Sequence, residues 1–203
     1  MRAEGDYKDG KPVGEWVYYY PDSQKEQTGK YTNSGKKAGS WKWYHENGQL
    51  MTEEDYKNDV KDGMHTEYDE AGKVMEEGEY LNGTEDGLWF SVSGDYYEKG
   101  TYRDGLRNGM WISMNLFREA DKTDSIVSFK GNFIDDNPDG KHIHYWDNGK
   151  IKDEGNYISG KKDGDWIQYN SDGTPFLIIT YQNGIETKYD GVKIKPPFEA
   201  EEP

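Results

Sequence analysis

GNYISGKKDGDWIQY, residues 155–169, sets glycine, one residue and an aromatic (Gly155, Tyr157) ahead of a polar, glycine-punctuated turn. Glycine, one residue, Trp166, two residues and Tyr169 then follow. The same order of residue types returns in GDYKDGKPVGEWVYY from Gly5 and in GKYTNSGKKAGSWKWY from Gly29. Self-similarity at a fixed period marks a repeat array, in which each unit buries its apolar surface against its neighbours.

The first aromatics of the units are Tyr7, Tyr31, Tyr56, Tyr80, Tyr102, Phe133, Tyr157 and Tyr181, separated by 24, 25, 24, 22, 31, 24 and 24 residues. A second column runs Trp16, Trp41, His65, Trp89, Trp111, His142 and Trp166. Three residues further on stand Tyr19, Tyr44, Tyr68, Val92, Met114, Tyr145 and Tyr169. Columns that keep step give seven units and a partial eighth.

Each unit is too short and too rich in glycine for paired helices, whereas segments of five to nine residues rich in Tyr, Trp, Val, Ile and Thr suit strands. Asn-Gly and Asp-Gly tolerate positive φ, so Glu46-Asn47-Gly48-Gln49 and Asp147-Asn148-Gly149-Lys150 read as tight hairpin turns. The stretches 9–14, 33–39, 82–87, 104–109 and 159–164 read as longer ones. The expected fold is all-β: a single-layer antiparallel β-hairpin repeat array, a twisted or curled meander of about 16 short strands over residues 1–191. Residues 192–203 read as an unpaired acidic, Pro-containing tail.

Alternation along a strand puts Trp41 and Trp43 on one face and Tyr44 on the other, and puts Gly29 beside Tyr31. Glycine next to an aromatic leaves bare backbone over which a neighbouring ring can lie. The step of 31 inserts about seven residues between Trp111 and Phe133, so residues 115–124 are expected to form a longer, protruding hairpin. The pattern is weakest at His65 and His142, where Trp is expected, and at Glu54, Asp59 and Asp136, where Gly is expected. Units three and six are therefore the least regular.

Leu, Ile, Val and Phe make up under a fifth of the 203 residues and the formal charge is -15, a combination that ordinarily signals disorder. The placement of 7 Trp and 17 Tyr at repeat positions argues for order held by aromatics. The excess of 40 Asp+Glu over 25 Lys+Arg disfavours nucleic acid and anionic membranes and favours a cationic partner. With no cysteine, redox chemistry does not indicate a compartment. The localisation expected for the chain as given is cytoplasmic by default, or secreted or periplasmic if an upstream signal segment was removed.

His142 and His144 lie two apart on a strand, but no third ligand is near them and no metal is expected. Asp135 to Gly140 imitates the start of a calcium loop, yet Trp146 stands where a bidentate Glu is required, so a turn is expected. Asn82-Gly83-Thr84 fits a glycosylation acceptor but is also an expected turn. No nucleophile constellation, acid and base pair or phosphate loop is present, so no catalytic residues and no cofactor are expected.

Gly-x-Tyr, then Gly-x3-Gly-x-Trp, then Tyr three residues after the Trp resembles the MORN repeat. The ENGQ, EAGK and DNGK turns are similar to its bacterial variant, often named YwqK-type antitoxins. The resemblance covers residues 5 to about 191 and implies a hairpin array that scaffolds or binds. Some members are proposed to bind phosphoinositides, and others to neutralise a toxin. A monomeric, non-enzymatic module for protein interaction is expected, with Tyr19, Tyr44, Tyr68, Tyr145 and Tyr169 as the contact patch, or the Trp column if that face is open. Leu116 and Phe117 of the long hairpin are further candidates. The alternatives are membrane phospholipid binding and carbohydrate recognition by exposed rings.

Overall fold

The computed structural model describes residues 2–119 and 122–193. No helix occurs among them, and every register pairs a strand antiparallel with its neighbour in the chain. The residues cluster as two compact units, Met1–Val92 with Tyr102–Gly105, and Ser93–Thr101 with Leu106–Pro203. The first contains β1 (Arg2–Lys8), β2 (Lys11–Tyr19), β3 (Lys25–Tyr31), β4 (Lys37–Tyr44), β5 (Leu50–Lys57), β6 (Val60–Tyr68), β7 (Val74–Leu81) and most of β8 (Thr84–Ser93). β9 (Tyr96–Arg103) contributes residues to both. The second contains β10 (Leu106–Glu119), β11 (Lys122–Ile134), β12 (Asn137–Tyr145), β13 (Ile151–Ile158), β14 (Lys161–Tyr169), β15 (Pro175–Gln182), β16 (Ile185–Tyr189) and β17 (Val192–Lys193).

Within each unit the core is a line of rings on one face. Trp16, Trp41, Trp89, Trp111 and Trp166 are all buried, and His65 and His142 are buried in the same column. Each indole lies flat across the glycine of the preceding strand. A Cβ on Gly29 would stand 2.1 Å from Trp41 Cδ2, and one on Gly155 would stand 2.2 Å from Trp166 Cδ2. Both distances are far inside van der Waals contact, so only glycine fits beneath these rings. The indole N–H then donates to the backbone carbonyl next to that glycine: Trp41 to Lys30, Trp89 to Glu79, Trp111 to Thr101 and Trp166 to Asn156, at 3.1–3.2 Å. The first-aromatic column meets the indoles edge to face, as in Tyr31 with Trp41 at 4.9 Å and Tyr157 with Trp166 at 5.0 Å, the geometry the ring quadrupoles prefer.

Except at 33–39, which is a longer turn as expected, the two turn classes are interchanged relative to their sequence reading. The tight two-residue turns are Asp9-Gly10, Asn58-Asp59, Asn82-Gly83, Asp104-Gly105, Asp135-Asp136, Ser159-Gly160, Asn183-Gly184 and Asp190-Gly191, with both residues at positive φ. That is the type I′ geometry whose twist matches a hairpin. In the ENGQ-type turns only the glycine has positive φ, and the loop closes across five residues, with His45 N–H donating to Gln49 O. The stretches 9–14 and 159–164, each read as one long turn, are a tight turn followed by a bulge, where Gly14 and Gly164 sit inside strands at positive φ, whereas 33–39 keeps a longer turn, closed by Thr32 N–H on Lys36 O, ahead of Gly39.

Asp59 and Asp136 explain why glycine is dispensable in two of the tight turns. Where the turn ends in glycine, its N–H donates to a carbonyl one unit earlier, as Gly83 does to Lys61 and Gly160 to Pro138. Asp59 and Asp136 make the same bond, to Lys37 and Arg107, and their carboxylates also accept the N–H of those residues at 2.7 and 2.8 Å. The added bond offsets the cost of a left-handed non-glycine residue.

The long insertion is a hairpin with paired residues from Gly109↔Phe133 out to Glu119↔Lys122. Its Ala120 and Asp121 lie outside the described residues. The expected tail is corrected at its start: Val192 and Lys193 pair with Tyr189 and Lys188 across an Asp190-Gly191 turn. They form a seventeenth strand among the described residues, and residues 194–203 lie outside them.

Candidate functional site

Tyr19, Tyr44, Tyr68, Tyr145 and Tyr169 lie on the face opposite the indoles, and all five are half-buried. Tyr19 OH donates to Glu4 at 2.9 Å and Tyr169 OH to Glu154 at 2.8 Å. Both carboxylates belong to the residue just before the packing glycine, on the face away from it. The Tyr column thus offers accessible ring surface, three rings in the first unit and two in the second, with Tyr19 and Tyr169 tethered by their hydroxyls. Leu116 is half-buried and Phe117 exposed at 41% on the long hairpin of the second unit.

The indole face is closed. Lys37 lies 4.4 Å from the Trp41 ring, Arg107 4.4 Å from Trp111 and Lys162 4.1 Å from Trp166. Their aliphatic stems cover the rings while the charge sits over the π-face. The Trp column is therefore core, not an open alternative patch.

Both ends of the strands are stitched to the next unit. Beside the tight-turn bonds, Tyr20 OH donates to Tyr44 O at 2.6 Å, His45 Nε2–H to Tyr68 O at 3.0 Å and Trp146 Nε1–H to Tyr169 O at 3.1 Å. Asn47 and Asn148 donate to Glu70 O and Ser171 O in the following turns. The residue after the Tyr column thus holds the carbonyl of the next Tyr.

Units three and six keep their register, contrary to the expectation of irregularity, because each replaces the indole in its own way. In unit six His142 Nε2–H donates to Asn132 O at 2.7 Å, reproducing the indole bond. Phe129 fills the area the smaller ring leaves: a Cβ on Gly131 would meet Phe129 Cζ at 2.3 Å and His142 Cε1 at 2.6 Å. Burial lowers the His142 pKa and keeps the ring neutral. His144 Nδ1 pairs with Asp153 at 2.8 Å, so both histidines are engaged. Among the described residues no group of three or more His, Asp or Glu side chains is arranged to hold a metal ion.

In unit three both members of the glycine and indole pair change together. Glu54 stands at the glycine position and His65 at the indole position, with His65 Nδ1–H donating to Glu54 Oε1 at 3.0 Å. Lys61 Nζ lies 2.5 Å from the same oxygen, and Tyr56 OH donates to Oε2 at 2.5 Å. On its other side His65 Nε2 faces Glu76 at 3.5 Å and Glu67 at 3.7 Å. Burial alone would raise the Glu54 pKa, but the donors from His65, Lys61 and Tyr56 outweigh it and hold the carboxyl at about 2. Burial alone would lower the His65 pKa, but Glu54 and Glu76 outweigh it and hold the imidazole at about 9. A glycine under a ring is replaced here by a buried ion cluster.

The strand pairs β4–β5, β6–β7, β12–β13 and β14–β15 coincide with residues 37–58, 61–82, 138–159 and 162–183. These four segments match the MORN repeat variant. The second and third contain His65 and His142, so the MORN-like unit tolerates replacement of its indole. No curated protein matches the chain.

Proposed function

We propose that the chain is a non-enzymatic protein-interaction or scaffold module and that its binding surface is the Tyr face. The observation that carries this reading is the asymmetry of the two faces. Rings, glycines and stacked cations use the indole face for cohesion, whereas the Tyr column stays half-exposed at the repeat spacing. Tyr offers large contact area with few rotamers to freeze, which suits an interaction surface. MORN repeats serve in protein-binding or lipid-binding modules, and the net charge of -15 favours a cationic protein over an anionic bilayer. An antitoxin-type role, in which the chain occupies a toxin, is the finer form of the proposal.

The test is capture of the products of neighbouring genes by the chain and by a Tyr44→Ala/Tyr169→Ala variant. Loss of a captured partner with retained strand circular dichroism is the expected result. A folded variant that captures the same partner equally well overturns the Tyr patch. Flotation with anionic vesicles at physiological salt is expected to leave the chain at the bottom of the gradient, and robust flotation overturns the preference for protein.

A further inference from the structure

Between Glu53 and Asp86 the chain carries thirteen acidic and three basic residues, the densest negative charge of the first unit. Within that stretch the Tyr face of β5 to β8 is a chequer of acidic and apolar side chains. Met64 is paired with Glu79, Thr66 with Glu77, and Glu77 with Phe90. Leu88, adjacent to Trp89 and therefore on the opposite face from it, is 80% exposed, and Met64 is 49% exposed. Glu77 and Glu79 are exposed as well, and neither carboxylate forms an ion pair or hydrogen bond among the described residues. Glu53, by contrast, is already matched by Lys42 at 3.1 Å and Ser40 at 2.6 Å.

The packing rule does not ask for apolar residues here. The column just before the indole is polar in four other units, as Glu15, Ser40, Lys141 and Asp165, and apolar in the one that carries Met110. Met64 and Leu88 occupy it in two consecutive units, on strands that flank β7. Exposed apolar side chains set among unpaired like charges are unfavourable in the free protein, and a partner that covers the first and neutralises the second removes both costs.

We propose that the Met64, Glu79, Leu88 and Glu77 face of the first unit docks a cationic amphipathic helix of a partner protein. This rests on the reading of the chain as a protein-interaction module and names its partner's chemistry. Two strand spacings separate Met64 from Leu88, about 10 Å, with Glu79 on the strand between. Two helical turns advance about 11 Å. A helix lying across the strands therefore sets apolar residues at i and i+7 on Met64 and Leu88, and a Lys or Arg at i+3 or i+4 on Glu79.

The test is calorimetric titration of the full chain with a synthetic helical peptide carrying Leu at i and i+7 and Lys at i+3 and i+4. Control peptides carry Glu for Lys, or Ser for Leu. The Lys and Leu peptide binds the wild-type chain, and binding weakens at least tenfold with Leu88→Ser, with Met64→Ser and with Glu77→Gln/Glu79→Gln. Both apolar positions are solvent-facing, so these variants retain the wild-type strand circular dichroism. Glu15→Gln/Asp165→Gln, which removes the same charge elsewhere, from the column that Met64 and Leu88 occupy in this stretch, leaves affinity within twofold. Equal binding to the Leu88→Ser chain overturns the proposal, and so does equal weakening by the Glu15→Gln/Asp165→Gln pair, which would mark the binding as diffuse attraction. Peptide binding insensitive to Leu88, alongside partner capture that still requires Tyr44 and Tyr169, overturns this face and leaves the interaction-module reading intact.

Discussion

Replacing Glu54 by Gly and His65 by Trp in one chain converts unit three to the rule followed by its neighbours, and the double-mutant cycle measures whether the two departures compensate. Glu54→Gly alone removes the carboxylate that His65 and Lys61 share. Breaking a buried ion pair from one side costs about 3–5 kcal/mol. His65→Trp alone drives an indole onto a position already filled by the Glu54 side chain. The glycine positions beneath indoles leave only 2.0–2.3 Å between a built Cβ and the ring, so this variant is overpacked and also takes from the carboxylate one of its three donors. A cost of at least about 3 kcal/mol follows. In the double variant the indole covers bare backbone, and Lys61 keeps its place 4.7 Å from the Tyr80 ring, as Lys162 does over Tyr181 at 5.0 Å. Exchange of a buried ion pair for well-packed apolar surface is neutral or stabilising, so the double variant is expected within about 1 kcal/mol of wild type. The coupling energy is then at least about 5 kcal/mol. Repeat arrays unfold unit by unit, so the assay is hydrogen exchange of β5 and β6 amides alongside urea denaturation. Single-variant effects that add within about 0.5 kcal/mol would refute the compensation.

The ion cluster gives unit three a pH signature with two windows. Glu54 is held at about 2 against an ordinary 4.5, so its contribution is complete above pH 4.5 and lost as pH falls towards 2. His65 is held at about 9 against 6.5, so its contribution is complete below pH 6.5 and lost as pH rises through 9. Exchange protection of β5 and β6 should fall in both windows in wild type and in neither for Glu54→Gly/His65→Trp; identical profiles count against the cluster. Gly155→Ala places a methyl 2.2 Å from Trp166 and is expected to cost about 1–3 kcal/mol in urea titration, whereas a cost below about 0.5 kcal/mol would mean that the ring is not seated on that glycine. Asp59→Gly trades a hydrogen bond for relief of a residue at φ 72° and should be within about 1 kcal/mol of wild type. Asp59→Ala loses the bond and keeps the strain, so it should lower the urea midpoint clearly more than Asp59→Gly does. His142→Trp should destabilise the second unit because Phe129 already covers Gly131, and Phe129→Thr in the same chain should restore the urea midpoint.

The glycine and indole rule was legible because two columns of distinctive residues keep a common spacing, and the structure places the rings on bare backbone as that spacing requires. The turns were misread because Asn-Gly is a statement about tolerated φ, not about loop length. Asn47 sits outside the left-handed region and uses its side chain to bridge to Glu70 O, while Asp135-Asp136 and Asn58-Asp59, with no glycine at all, make the two-residue turns. What stabilises those pairs is a backbone N–H contributed by a strand one unit away, a contact that no local pattern encodes. The compensation at unit three did leave a trace. Glu54 and His65 are eleven residues apart, the separation of Gly78 from Trp89 and of Gly155 from Trp166, so two departures from the pattern fall on one packing contact. Alternation alone placed Tyr44 on the face opposite Trp41, whereas it could not say which face is open, nor that Leu88 is exposed, because both depend on what the neighbouring strands cover.

A repeat array that assigns one face to cohesion constrains where it can carry information about a partner. The indole, glycine and first-aromatic columns cannot vary freely, because a change at one demands a matching change across the strand, as Glu54 with His65 and Phe129 with His142 illustrate. The tight-turn residues are bound to the preceding unit and the residues after the Tyr column to the following one. What remains free is the Tyr face, and within it the column before the indole, which runs through Glu15, Ser40, Met64 and Leu88 in the first unit and Met110, Lys141 and Asp165 in the second. Charge, polarity and apolar surface alternate there without disturbing any ring, so on the proposed reading the contact surface can change by single substitutions while the rings stay in place. Units three, four and five, which carry Met64, Leu88 and Met110 where the others are polar, depart most on that column.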